Sequence, residues 1–258
     1  MTRPVLCSIS SGGLGNRLKS FWGARRLDPR AVMQWPLEWR YNDGNFDRIV
    51  GSAASFKELF DAPEALVKDI NNTHAYYSWQ LSSVGDEPPL DFTYNKTPSS
   101  AIKAYLPIVN SLRPAQNVLD TVRSFDQEVD LNSRTGFHIR MFEHPTPQQL
   151  SMITSFVRGQ ASRGLIYVST DNHIIREISR NISNVVVYPE VGNASSIDST
   201  ALCEMLSLAR CKDLIATSGS TFSECAWWFG GAIQNIAHFD PKTGCDDRHA
   251  VEYDDMII

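Results

Sequence analysis

Four short clusters of small, hydroxyl-bearing and charged residues stand out along the chain, at Gly13–Asn16, His138–Glu143, Ser169–Asp171 and Ser218–Thr221. The last, Ser218, Gly219, Ser220 and Thr221, follows the apolar run Asp213–Thr217 and precedes a helical pattern at Phe222–Phe229. A strand that brings hydroxyls and open backbone N–H groups to the start of a helix makes an anion site. The first N–H groups of a helix lack intrahelical partners, and the helix dipole adds positive charge there. The anion could be the diphosphate of a nucleotide sugar. An ordinary strand-to-helix corner capped by Ser220 or Thr221 has the same appearance.

In SGGLGNRL, Gly13 and Gly15 match the first two glycines of a dinucleotide fingerprint, but Leu18 stands where the third belongs. No Gly-Lys-Ser/Thr follows, so it is not a Walker loop. The glycines leave the backbone of Gly13, Leu14, Gly15 and Asn16 open to close approach by a ligand, and Asn16 can cap the helix. In GFHIRMFEH, His138 and Arg140 share one face of an extended segment, with Glu143 just beyond. A guanidinium stays charged and binds two phosphate oxygens at once; the alternative is a structural pair with a carboxylate such as Asp171. Ser169, Thr170 and Asp171 end another apolar run, either as a helix cap or beside a ligand. The chain has no Asp-x-Asp. Close-set carboxylates commonly hold the divalent ion in metal-dependent sugar transfer, so a metal-independent mechanism and no cofactor are expected, with cationic groups and helix dipoles stabilising a departing diphosphate.

Each cluster needs a strand behind it. Pro4–Ser10 reads as a buried strand followed by a helix at about 16–27, which Pro29 ends. Ala31–Leu37 is a second candidate strand. Residues 71–103 read as loops, and 104–129 as helical, interrupted at Pro114. Further on, strands are expected at Thr135–Met141, Leu165–Ser169, Val185–Tyr188, Asp213–Thr217 and Ile233–Phe239. Helices are expected at about 148–160, 172–179, 199–209 and 222–229. This alternation implies βαβ units and a mostly parallel sheet, in which ligands bind beyond the carboxyl ends of the strands. All four clusters lie at such ends. In the helix at 199–209, Leu202, Met205, Leu206 and Ala209 form a core stripe; Glu204 lies off it and could point toward a site. The polar stretch Ser124–Arg134, without a clear period, marks a boundary between halves at 1–130 and 131–258.

With 258 residues and 42% hydrophobic content the chain can bury a sizeable core. A net charge of −5 gives no reason to expect a nucleic-acid partner, and no apolar run is long enough for a membrane span. Five cysteines without a CxxC spacing argue against zinc and thioredoxin-like chemistry. Without a long apolar leader at the N-terminus, no signal peptide is read; a cytoplasmic setting with reduced thiols is expected, and the four Asn-x-Ser/Thr sequons are read as chance matches.

The ordered set of motifs resembles the fucosyltransferase superfamily, which includes the α1,2- and α1,6-fucosyltransferases, the nodulation fucosyltransferase and the protein O-fucosyltransferases. Gly12–Asn16 resembles its glycine-rich loop. HIRMFE at His138–Glu143 resembles its His-x-Arg-x-x-Asp motif, with Glu143 in place of Asp. Ser169–Asp171 and the run from Leu206 to Trp228 resemble two further motifs, in the family's order. The resemblance implies a compact α/β fold of the GT-B type, two Rossmann-like lobes with mostly parallel sheets. The 1–130 lobe, reduced, would serve the acceptor and the 131–258 lobe would bind the nucleotide sugar. It also implies inverting, metal-independent transfer of fucose or a related deoxysugar from a GDP-linked donor to a glycan or glycoconjugate hydroxyl. By position, Arg140 would bind the diphosphate, Ser218, Ser220 and Thr221 would hold phosphate oxygens, Asp171 would lie near the nucleotide, and the Gly13–Asn16 main chain would face the donor. Glu143 is the first candidate for the general base, ahead of Asp43 and Glu38. A non-catalytic nucleotide-sugar binder is the alternative, and a nicotinamide oxidoreductase, lacking the third glycine, stands third.

Overall fold

The structure, a computed structural model, describes residues 6–9, 13–35, 38–42, 47–52, 55–61, 74–76, 99–141, 144–189 and 197–244. In chain order the elements are β1 (Leu6–Ile9), α1 (Leu14–Leu27), β2 (Val32–Gln34), β3 (Glu38–Asn42), β4 (Asp47–Ser52), the single turn α2 (Phe56–Leu59), β5 (Phe60–Asp61) and β6 (His74–Tyr76). Then come α3 (Ser99–Ser111), β7 (Arg113–Pro114), α4 (Gln116–Val129), β8 (Thr135–Ile139), α5 (Pro147–Ala161), β9 (Ile166–Thr170) and α6 (His173–Arg180). The chain continues through β10 (Val185–Val187), α7 (Ile197–Arg210), β11 (Asp213–Thr217), α8 (Thr221–Phe229) and β12 (Asn235–Phe239).

The C-terminal half is built on a five-stranded sheet in the order β10-β9-β8-β11-β12, parallel throughout. Its first strand, β8, lies at the centre. The chain winds outward to one edge through β9 and β10, then returns to the other side as β11 and β12. The winding therefore reverses between β8 and β11, the kind of crevice where ligands sit in open α/β sheets. Strands covered on both faces are largely apolar on both: Phe137 and Ile139 of β8 and Ile166, Tyr167 and Val168 of β9 are buried, and the buried polar residues His138, Ser169 and Thr170 fall near the carboxyl ends. Phe137 packs edge-on to Phe239 at 5.2 Å between ring centroids and lies 5.3 Å from Phe156 of α5. The N-terminal half carries a second parallel sheet, β2-β1-β6, the antiparallel pair β3–β4 and a short β5–β7 pairing.

One hydrophobic core joins the halves. Leu14, Leu18, Phe21 and Trp22 of α1, Tyr105 and Val109 of α3, and Val118, Val122 and Phe125 of α4 belong to the same cluster as Leu202, Met205 and Leu206 of α7 and Trp227 and Trp228 of α8. Two buried ion pairs cross the same seam. Arg17 of α1 meets Asp198 of α7 at 3.2 Å, and Lys19 of α1 meets Glu224 of α8 at 3.0 Å.

One expectation needs correction and two gain detail. The stretch 71–103 is not all loop: His74–Tyr76 is a strand beside β1, and α3 already starts at Ser99. The helical region 104–129 is two helices, with Pro114 in the short strand between them. The polar segment 124–134 begins, as expected from the helical pattern through residue 129, inside the last turns of α4. Its narrow stripe of Val118, Val122 and Phe125 faces the core, and the polar residues around it hide the period. The helix stops at Asp130, whose φ of 53° is left-handed. The segment between β4 and β6, apart from 55–61, lies outside the described residues.

Candidate anion site at the strand ends

The starts of α1 and α8 touch. A Cβ on Gly15 would lie 2.8 Å from the main-chain N of Phe222 and from C and O of Thr221, so only glycine fits. Thr221 Oγ1 donates to Asn16 Oδ1 at 2.8 Å, and Cys225 Sγ makes a weak bond to the Gly15 carbonyl at 3.4 Å. Asn16 is therefore the third residue of α1 and a cross-link to α8, not the cap; Gly13 holds the cap position. Ser220 holds the cap position of α8, but its hydroxyl makes no cap bond. In neither helix does a capping side chain bond back to the first N–H groups. By contrast, Asn172 Oδ1 accepts from the N–H groups of Ile174 and Ile175 at the start of α6. Two positive helix ends without side-chain caps thus meet at Gly15 and Thr221. Gly219, with φ at +70°, makes the turn from β11 into α8.

The second wall is the crevice between β8 and β11. Arg140 leaves the end of β8 and its guanidinium bonds Asp171 Oδ2 at 2.7 Å; Asp171 Oδ1 accepts the Met141 N–H at 2.9 Å. Both partners of the pair keep more than a quarter of their side chains accessible. Burial pushes the Asp171 carboxyl up, opposed by the Arg140 charge. His138 lies inside: its ring stacks on Phe222 at 4.6 Å, and Nδ1 is 2.7 Å from Ser223 Oγ. Burial first and the Arg140 charge second lower its pKa to about 3, so the imidazole is neutral at neutral pH.

The end of β9 is held by a buried network. Ser169 Oγ donates to Glu204 Oε2 at 2.6 Å, and Arg176 of α6 donates to Glu204 Oε1 and to the Thr170 carbonyl, each at 2.6 Å. Burial raises the Glu204 pKa against the Arg176 charge. Thr170 Oγ1 accepts the Asn172 N–H at 3.2 Å. The helix cap here is Asn172, not Thr170 or Asp171.

Of the residues singled out in the sequence, Gly13, Asn16, Arg140, Asp171, Ser218, Gly219, Ser220 and Thr221 reach the surface at least partly. Leu14, Gly15, His138, Ser169 and Thr170 are buried. Glu143 and Asp43 lie outside the described residues, and Glu38 begins β3. Two supporting residues carried no sequence signal as part of a site: Arg176, one arginine among many, and Thr217, which reads simply as a strand end. Glu204 was legible only as a polar residue off a core stripe.

Sequence comparison finds no matching family model and no matching curated protein. Solved structures do match. One is the α1,6-fucosyltransferase NodZ soaked with GDP-fucose, at TM-score 0.56 and 15% identity, over 95% of this chain and 98% of that one. Another is fucosyltransferase NodZ from Bradyrhizobium, at TM-score 0.56 and 14% identity, over 98% of both chains. A third is a point variant of FUT1 from Arabidopsis thaliana in complex with GDP, at TM-score 0.53 and 13% identity, over 96% of this chain and 72% of that one. The chain has the fold of the fucosyltransferases. Within this GT-B fold the end of β8 is tied to the start of α8 by His138, which stacks on Phe222 and lies 2.7 Å from Ser223 Oγ. No helix among the described residues is long and apolar enough to cross a membrane.

Proposed function

We propose that this chain is a glycosyltransferase that moves fucose, or a related deoxysugar, from a GDP-linked donor to a hydroxyl of a glycan or glycoconjugate. One observation carries the reading: two helix starts without side-chain caps meet beside an arginine at the sheet's crevice, in a fold shared with proteins solved with GDP-fucose and GDP.

The donor diphosphate would sit against the main chain of Gly13–Asn16 and Ser218–Thr221, with Arg140 reaching its oxygens from the end of β8. The acceptor oxygen attacks the anomeric carbon from the face opposite the diphosphate. The new C–O bond forms as the bond to the diphosphate breaks, and the electron pair leaves with GDP. Inversion follows from that single displacement. The acceptor proton passes to a carboxylate; Glu143, three residues beyond Arg140, is assigned this role by its motif position. Arg140 and the two helix dipoles stabilise the charge on departing GDP, so no divalent ion is required. His138, Ser169 and Thr170 act from behind, holding Phe222, Ser223 and the end of β9. Residues 131–258 form the donor lobe, with Gly13–Asn16 facing the donor from the other side, and the rest of residues 1–130 serves the acceptor.

A thermal-shift panel of GDP, UDP and TDP and of their sugars tests the donor class without the acceptor. GDP and GDP-fucose should raise Tm, and more than the other nucleotides do. Stabilisation by UDP- or TDP-sugars alone would replace the donor, and no shift with any of them would contradict the site. Turnover should be unchanged in excess EDTA; a loss reversed by manganese would overturn the metal-independent mechanism.

A further inference from the structure

The strand pairing that holds Arg140 in place ends before Arg140 does. The β8–β11 ladder pairs Thr135–Phe137 with Asp213–Ile215 and stops there, whereas the β8–β9 ladder continues to Ile139 and Thr170. Beyond that point the strands part, and one side chain spans the gap. Thr217 Oγ1 accepts the Arg140 N–H at 2.9 Å and donates to the His138 carbonyl at 2.7 Å. Thr217 is buried, so its hydroxyl uses donor and acceptor at once and satisfies two main-chain groups that no ladder reaches. Both groups flank Ile139, which fixes the path of the chain into Arg140.

We infer that Thr217 is a positioning residue for the transfer reaction, one whose hydroxyl aims Arg140 by pinning its main chain to β11. The inference rests on the proposed role of Arg140 at the donor diphosphate. A misplacement of about 1 Å at a reacting centre can cost on the order of 100-fold in rate, so the bridge should matter although Thr217 need not touch the donor.

The test uses Thr217→Val, Thr217→Ala and Thr217→Ser, each alone and with Arg140→Ala, with GDP-fucose as substrate and GDP release as the readout. Amide hydrogen exchange at Arg140 is measured in parallel. Thr217→Ala should expose the Arg140 amide to exchange and lower kcat on the order of 10- to 100-fold, while Thr217→Ser should restore both. In the Arg140→Ala background the Thr217→Ala loss should largely vanish, because the effect passes through Arg140. If Thr217→Val does not fold, the Ala–Ser pair decides, since it differs only in the hydroxyl. An unchanged exchange rate, no rescue by serine, or full additivity with Arg140→Ala overturns the inference. A wild-type protein that releases no GDP contradicts the transferase reading instead, and the exchange measurement still judges the bridge.

Discussion

Arg140 and His138 are two residues apart and are treated in opposite ways. Arg140 sits at the surface and is paired with Asp171, the carboxylate partner the sequence offered for it; His138 is buried and neutral. Arg140→Ala should lower GDP release from GDP-fucose on the order of 100- to 1,000-fold, the scale of a lost transition-state donor, with Tm nearly unchanged. Near-wild-type turnover in a folded variant would remove Arg140 from the mechanism. For His138 the measurable property is pH dependence. Its folded pKa, about 3, lies below the ordinary 6.5, so between these values the unfolded chain binds more protons than the folded one. The stabilisation is complete above 6.5 and is lost as pH falls toward 3, at up to about 1.4 kcal/mol per pH unit. His138→Asn should flatten that slope in denaturant titrations taken from pH 7 to pH 4. An unchanged slope would mean that His138 is not the group responsible.

At the scale of elements, the contact of α1 with α8 depends on Gly15. Gly15→Ala would drive a methyl into the Thr221–Phe222 main chain, and overpacking of this kind costs about 1–3 kcal/mol. We expect a lower denaturation midpoint and weaker GDP binding together, because the two helix starts must separate; a variant as stable as wild type would contradict the close approach. The glycine-rich motif was visible in the sequence, yet the reason for Gly15 was not. Its constraint is set by a backbone some 205 positions away, at the distance of the Asn16–Thr221 bond, and no local pattern encodes it. The same holds for Asn16, which sequence rules place as a cap and the fold turns into a cross-link. The strands β8, β9 and β11 were legible because apolar runs of five residues between turn signals leave few alternatives. The β3–β4 hairpin was not, since EWRYN and DRIVGS mix charged and apolar residues without an unbroken apolar run.

For the whole molecule, the parallel C-terminal sheet follows from the βα alternation, but the union of the two halves does not. The polar stretch at 124–134 reads only as a boundary, and gives no sign that α4, which runs into it, packs onto α7 through the shared core. The seam also encloses the Arg17–Asp198 and Lys19–Glu224 pairs. Removing one member of a buried pair takes away a counter-charge of the other, at a cost of about 3–5 kcal/mol. Asp198→Ala should therefore lower the stability of the whole chain in one cooperative transition monitored by calorimetry. Two separate transitions, with only the first shifted, would show that the halves unfold independently.

The central claim is that the strand-end site holds a GDP-linked sugar and breaks its glycosidic bond to the diphosphate. The most direct measurement is GDP release from GDP-fucose by the wild-type chain, followed with and without a glycan acceptor mixture. The account predicts steady GDP release that rises when an acceptor is present and falls sharply in Arg140→Ala. Saturable binding of GDP-fucose with no GDP released under either condition would contradict it and leave a binding protein in the fucosyltransferase fold.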